Sequence, residues 1–216
     1  MITNTVQNIT RLVKDKNIEV VDLKCIDLTG RLHHISLPVY QGIIGNLIKE
    51  GVGFDGSSYG FRKVESSDMI LIPDLETAYI DPFRESATLS FYANIFLTGE
   101  KWLPFSQDGR HIARLAESLI NKYTGSDSSW WGPEFEFYIF SMVKYDTRTS
   151  SSFYEVEHAE EFFNNAYHAA NPFDVYDDFR DKACKLLKNF GIKVKYHHHE
   201  TGEGASRKLK LTLSRC

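Results

Sequence analysis

The 216-residue chain has only three cysteines, Cys25, Cys184 and Cys216. They are too few and too scattered for a disulfide framework or a zinc cluster, which leaves buried or incidental thiols in a reducing compartment. No apolar run approaches the ~20 residues of a membrane span, and the polar amino terminus lacks the apolar stretch of a signal peptide. The expectation is therefore a cytoplasmic protein with no membrane partner. Charge of one sign is also missing: the net charge is -4 with acids and bases well mixed. Phosphate neutralisation across a broad basic field is excluded as a first reading, so no nucleic-acid partner is expected, while small anionic substrates stay open. Internal repeats and low-complexity tracts are absent as well.

Apolar content is sufficient. With 42% hydrophobic and 13% aromatic residues, the chain can bury a core in one large domain or two smaller ones. Val6, Ile9, Leu12 and Val13 fall at helical intervals, predicting a leading helix up to residue 15. "IEVVDLKCIDLTGRLHHISLP" alternates on both sides of Asp27-Leu28-Thr29-Gly30 and reads as a β-hairpin. "GIIGNLIKEG" reads as a short helix ended by Gly51, and "MILIPDL" and "TLSFYANIF" as strands, with Pro82 and Gly99 marking turns. These elements form a small mixed sheet domain over residues 16 to 104.

From residue 105 the pattern becomes long helix and strand. "DGRHIARLAESLINKY" is amphipathic, "EFEFYIF" alternates strictly, and "DVYDDFRDKACKLLKNFG" is a further helix with Gly191 at its carboxyl cap. The Ser/Thr-rich "TRTSSS", with the acidic "EVEHAEEF" after it, reads as a surface loop. Only two or three strands are visible, so the second sheet looks unfinished.

Three stretches could carry chemistry. On a strand, Glu134 and Glu136 project from one face about 6 to 7 Å apart, with Phe135, Phe137 and Ile139 on the other. Such a pair is either a solvated face or a divalent-metal site, because adjacent carboxylates repel unless a cation sits beside them. In "VKYHHHE", Val194, Tyr196, His198 and Glu200 share one face and Lys195, His197 and His199 the other. Were this strand near the first, Glu200 would complete a three-carboxylate cluster suited to Mg²⁺ or Mn²⁺. Three consecutive histidines cannot all reach one metal. In "GVGFDGSSYGF", the Asp-Gly-Ser-Ser turn is either purely structural or presents Asp55 to a small cation such as ammonium.

Read in order, "FDGSSYGFRKVESSDMILIPDLET", "DPF", "GPEFEFYIF" and "YHHHE" resemble the amino-terminal half of a glutamine synthetase of the bacterial and archaeal type, over residues 16 to 204. The resemblance implies an α+β chain, a small β-grasp-like amino-terminal domain followed by the incomplete start of the catalytic α/β domain. It further implies ATP-dependent ligation of ammonia to glutamate through γ-glutamyl phosphate, in a homo-oligomer whose active sites lie between subunits. Glu134 and Glu136 would ligate two different divalent ions, Mg²⁺ or Mn²⁺, and Glu200 would be a second ligand to the ion held by Glu136. Asp55, with Ser58 nearby, would bind and deprotonate ammonium in the adjacent subunit's site. Other outcomes of the same resemblance are a non-catalytic fragment that joins intact synthetase oligomers and a relative that ligates ammonia or an amine to another carboxylate.

Two departures stand out. Lys195 replaces an acidic residue that family members often use around the nucleotide, so no nucleotide-binding residue is assigned. Lys208 stands eight residues beyond Glu200, where the family has another metal-binding glutamate, and there it puts positive charge where a metal needs negative charge. "KLKL" is also what a shifted reading of codons for Glu-Ile-Glu-Ile produces, so residues 205 to 216 read as a frame-shifted tail, with a genuine divergent terminus as the alternative. The nucleotide sequence across codons 195 to 216 is expected to continue in synthetase-like form in another frame; a downstream frame without such a continuation refutes this. Little or no ligase activity is expected from the chain alone, and poor solubility from uncovered apolar edges.

Overall fold

A computed structural model describes residues 5–99, 102–157, 167–201 and 208–213. The chain divides into two units, Met1–Ser128 and Ser129–Cys216, and no helix among the described residues is long and apolar enough to cross a membrane.

In the first unit, α1 (Val6–Asp15) is capped by Thr5, whose Oγ1 accepts from the Asn8 N–H. Strands β1 (Val20–Ile26) and β2 (Leu32–Pro38) form the expected hairpin, with Ile26 opposite Leu32. Asp27 organises its turn by accepting from the Thr29 N–H, the Thr29 hydroxyl and the Arg31 N–H. Helix α2 (Ile43–Glu50) connects this hairpin to β3 (Val52–Asp55) and β4 (Asp68–Pro73), and the short β5 (Tyr79–Ile80) precedes the ten-residue β6 (Thr88–Leu97). Strand β7 (Leu103–Pro104) adds two residues.

The sheet order is β2-β1-β6-β4-β3, with β5 and β7 also paired to β6. Strands β1 and β6 are parallel and the other pairings antiparallel. One face carries Val21, Leu23, Cys25, Leu89, Phe91, Ala93, Met69 and Leu71 into a core completed by Ile9 of α1 and by Ile43, Ile44 and Leu47 of α2. Strand alternation and helical spacing thus converge on a single apolar layer. Burial pushes the Cys25 thiol up to about 12, with Asp108 and Asp27 adding to the shift, so it stays a neutral apolar filler at ordinary pH.

Helix α3 (Gly109–Thr124) is capped by Asp108, which accepts from the Arg110 N–H. Arg110 and Arg114 donate to Asn94 of β6, and Arg110 also to Asp74, at 3.3, 2.8 and 2.5 Å. Its apolar residues Ile112, Leu115, Leu119 and Tyr123 are about half exposed or more.

Among the described residues, the second unit contains a three-stranded sheet, a two-stranded hairpin and one helix. Strands β8 (Glu134–Tyr138), β9 (Met142–Thr147) and β10 (Ser152–Glu157) are followed by α4 (Asp177–Asn189), β11 (Val194–His199) and β12 (Lys208–Leu213). The expected loop at "TRTSSS…EVE" is instead the β9–β10 hairpin, with Val143 opposite Val156 and Arg148 N–H donating to the Ser151 carbonyl across a four-residue turn. Its Ser and Thr residues sit in and beside the turn, while Phe153, Tyr154 and Val156 supply β-prone side chains that the polar composition hides. The remainder of that acidic stretch, 158 to 166, lies outside the described residues.

Residues 208 to 213 of the tail form a strand at the centre of the three-stranded sheet, ordered β11-β12-β8. Both pairings are antiparallel. The rest of the tail, including Cys216, lies outside the described residues.

Candidate functional site

The Asp55 turn is built by two constraints. Gly56 can only be glycine without rearrangement, since a Cβ there would lie 2.3 Å from Met69 Sδ and 3.1 Å from the Ser67 carbonyl oxygen. The chain can therefore turn tightly over the end of β4, exposing Asp55. Asp55 Oδ1 accepts from the Ser57 N–H at 2.9 Å and from Ser57 Oγ at 2.7 Å, and Oδ2 accepts from Ser58 Oγ at 3.1 Å. The Ser57 hydroxyl and N–H, joined by Ser67 and Ser58, hold the carboxyl down at about 2 against a small opposing effect of burial. Asp55 also sits directly opposite Asp68 in the β3–β4 ladder. Like charges on one rung favour a cation nearby. Ser58 touches Asp55 once, and Ser57 makes the closer contacts; the signal for Ser57 was present in the Asx-turn pattern, in which Asp bonds two residues ahead.

In the second unit, β8 presents Glu134 and Glu136, both exposed. On its other side Phe137 meets Phe179 of α4 edge to face, with ring centroids 6.2 Å apart. Glu200 lies one residue beyond β11 and is only 9% exposed, its Oε1 accepting from the Thr201 N–H and hydroxyl. Strands β8 and β11 are not neighbours: β12 runs between them. With adjacent strands 4.7 to 4.9 Å apart, the two glutamates of β8 lie about 9.5 Å laterally from the line of β11.

The three histidines take three separate roles. His197 Nδ1 accepts from Arg180 Nε at 3.1 Å, because a guanidinium can only donate, so Nε2 carries the proton and donates to Asp181 at 3.0 Å. His198 Nδ1 and His199 Nδ1 each lie 2.9 Å from a backbone carbonyl, of His199 and Glu200 respectively, and so must be the protonated nitrogens. His198 stacks on Tyr196 and meets His168 edge to face, while His199 is fully buried.

Asp177, Asp181 and His197 bring their potential ligand atoms within 4.8 Å of one another. Both nitrogens of His197 are already engaged, however, and Arg180 Nη2 lies 3.5 Å from Asp177. This group is an ion-pair network around Arg180, not a metal centre. At its heart Arg180 makes a bidentate contact with Asp174, both side chains almost fully buried. Burial alone would raise the Asp174 carboxyl, but the Arg180 hydrogen bonds and charge, with the Tyr176 N–H, outweigh it and hold it below the usual carboxylate range. Sequence reasoning missed this pair, although Arg180, Ala183, Cys184 and Leu187 fall at helical spacing on the inward side of α4.

Two family models match the chain in the same order as its two halves. The one described as "Glutamine synthetase, beta-Grasp domain" covers residues 17–98, and "Glutamine synthetase, catalytic domain" covers 106–212. The chain belongs to the glutamine synthetase family. Glutamine synthetase of Mycobacterium bovis is 36% identical over 236 aligned residues, which take in 99% of this chain and 49% of that protein. Glutamine synthetase of Vibrio cholerae is 31% identical, covering 95% of this chain and 47% of its own length. The chain thus spans about half the length of these relatives. Among solved structures, Plasmodium falciparum glutamine synthetase superposes with a TM-score of 0.82 at 20% identity, over 98% of this chain and 44% of that one. At that identity the superposition speaks for the fold.

Glutamine synthetases generally use divalent metal ions and ATP, and the candidate ligands here can be compared with that requirement. Glu134, Glu136 and, at the strand's end, Glu200 supply carboxylates. The central strand contributes no acid: Thr212 stands opposite Glu134, Lys210 opposite Glu136 and Lys208 opposite Tyr138. A divalent ion at Glu136 needs further carboxylates or phosphates around it.

Proposed function

We propose that this chain is the amino-terminal half of an ATP-dependent glutamate–ammonia ligase whose usable chemistry lies in the Asp55 turn. Alone, it forms little or no glutamine. The observation supporting this is the exposed, serine-clamped Asp55 carboxylate on a rung with Asp68. A carboxyl held at about 2 is ionised throughout the physiological range. It is a weak base, so its part is to attract and hold ammonium by charge, leaving proton removal to a stronger acceptor. In an oligomer with sites between subunits, that turn would serve a neighbouring subunit's site. Glutamate, ammonium and ATP are the proposed substrates of the assembled enzyme, Mg²⁺ or Mn²⁺ its proposed ions, and the cytoplasm its proposed location.

The purified chain, supplied with glutamate, ammonium, ATP and either Mg²⁺ or Mn²⁺, is expected to produce no glutamine above a protein-free control. Steady glutamine formation by the 216-residue chain overturns this.

A second function, as a non-catalytic module that joins intact synthetase oligomers, is favoured by the first unit's self-contained core and exposed Asp55 turn. Co-purification with an intact synthetase distinguishes it from an unassociated half.

A further inference from the structure

His198 finds a partner outside its own run of histidines. His168 holds a left-handed backbone at φ 58, a conformation that a non-glycine residue keeps only where surrounding contacts fix it. Its N–H donates to the His199 carbonyl oxygen at 3.0 Å. The same oxygen accepts the Nδ1 proton of His198 at 2.9 Å. One carbonyl thus pins both residues, and their imidazole rings come together with centroids 4.3 Å apart and planes at 77°.

Both rings are left able to ligate. With its proton on Nδ1, His198 keeps the Nε2 lone pair. A backbone carbonyl on the far nitrogen is the arrangement that orients metal-bound imidazoles and raises their basicity. Neither ring nitrogen of His168 has a hydrogen-bond partner among the described residues, and its side chain is exposed. Tyr167 stacks on His168 with centroids 4.0 Å apart and Tyr196 on His198 at 5.9 Å, so each imidazole is backed by a tyrosine ring that restricts its rotation.

At metal–nitrogen bonds of about 2.0–2.1 Å, two imidazoles on adjacent corners of a square-planar ion have ring centres about 4.5 Å apart. The observed separation is close to that. Because His168 is exposed, water can fill the remaining corners. Imidazole donors suit Cu²⁺, Ni²⁺ and Zn²⁺, whereas Mg²⁺ and Mn²⁺ favour hard oxygens, and tetragonal geometry with the Irving–Williams order puts Cu²⁺ first.

We propose that His168 and His198 form a two-imidazole site for a divalent transition-metal ion. The site takes its protein donors from nitrogen and does not depend on the function proposed above.

Titration of the full chain with Cu²⁺, followed by electron paramagnetic resonance and by quenching of tyrosine fluorescence, tests this directly. One saturable equivalent with nitrogen hyperfine structure is expected. His168→Asn should weaken binding at least about tenfold; asparagine tolerates the left-handed backbone, so this variant removes the imidazole and keeps the turn. His198→Gln should weaken binding to a similar extent, with amide exchange of β11 reporting that the strand is kept. His111→Gln, on the separate helix α3, should leave the affinity as it was, and a large excess of Mg²⁺ should leave the bound Cu²⁺ in place. The absence of a saturable Cu²⁺ site overturns the proposal. So does an affinity unchanged in the folded His168→Asn chain, an equal loss in His111→Gln, or displacement of the copper by Mg²⁺.

Discussion

Arg180→Leu is expected to cost about 3–5 kcal/mol, because it strands a buried, unpaired carboxylate. Arg180 is 2% exposed and Asp174 3%, so water cannot replace the lost partner. The same substitution deprives His197 Nδ1 of its donor, loosening the contact of α4 with β11. Amide hydrogen exchange followed by mass spectrometry should show protection over residues 177–199 falling at least about a hundredfold. Peptides of the first unit should exchange as before. Replacing both partners, Arg180→Leu with Asp174→Leu, should recover most of the loss, since an apolar pair of similar volume avoids the stranded charge. If the single variant keeps full protection, the buried pair is not what holds α4 to β11. Acid should act in the same direction. Asp174 is held below the usual carboxylate range, so its contribution is present above its unfolded pKa and is lost as pH falls through the folded value.

The second large effect lies in the first unit. Gly51 ends α2 with φ +66, and a Cβ there would meet Ile70 Cγ2 at 2.3 Å and the Leu71 carbonyl oxygen at 2.8 Å. Gly51→Ala combines a left-handed backbone penalty of about 1–2 kcal/mol with an overpacking cost of about 1–3 kcal/mol. The backbone oxygen cannot move without disturbing β4, so the clash is not relieved by a rotamer change. A urea or thermal melt should show the first unit destabilised by several degrees or more. Gly45→Ala is the contrast: it lies inside α2 with nothing within 4 Å of a new Cβ. There the change should be neutral or stabilising by up to about 1 kcal/mol. Equal effects at both positions would mean that Gly51 is not under the constraint described.

Much of this was legible in the chain because the forces concerned are local. The turn at Asp27 to Gly30, the amphipathic spacing of α1 and α3, and Gly51 and Gly191 after helices are written in neighbouring residues. The Asp55 turn was legible for the same reason. What could not be read was which strands would be neighbours. Pairing is set by contacts far apart in sequence, so nothing in "VKYHHHE" or "EFEFYIF" said that a third strand would run between them. That is why Lys208 drew attention by counting residues while Lys210 is the partner of Glu136. The β9–β10 hairpin was hidden for a different reason: its turn is so rich in Ser and Thr that composition obscured the alternation on either side.

The six residues of β12 join two things that are usually separable. Strands β8 and β11 are bridged only through it in the described sheet, so the segment that brings cationic side chains also supplies the hydrogen-bonded seam between its neighbours. Excising the segment would undo the architecture before any change in electrostatics could be observed. Exchanging its residues one at a time keeps the seam, which makes point substitution the cleaner probe of this sheet.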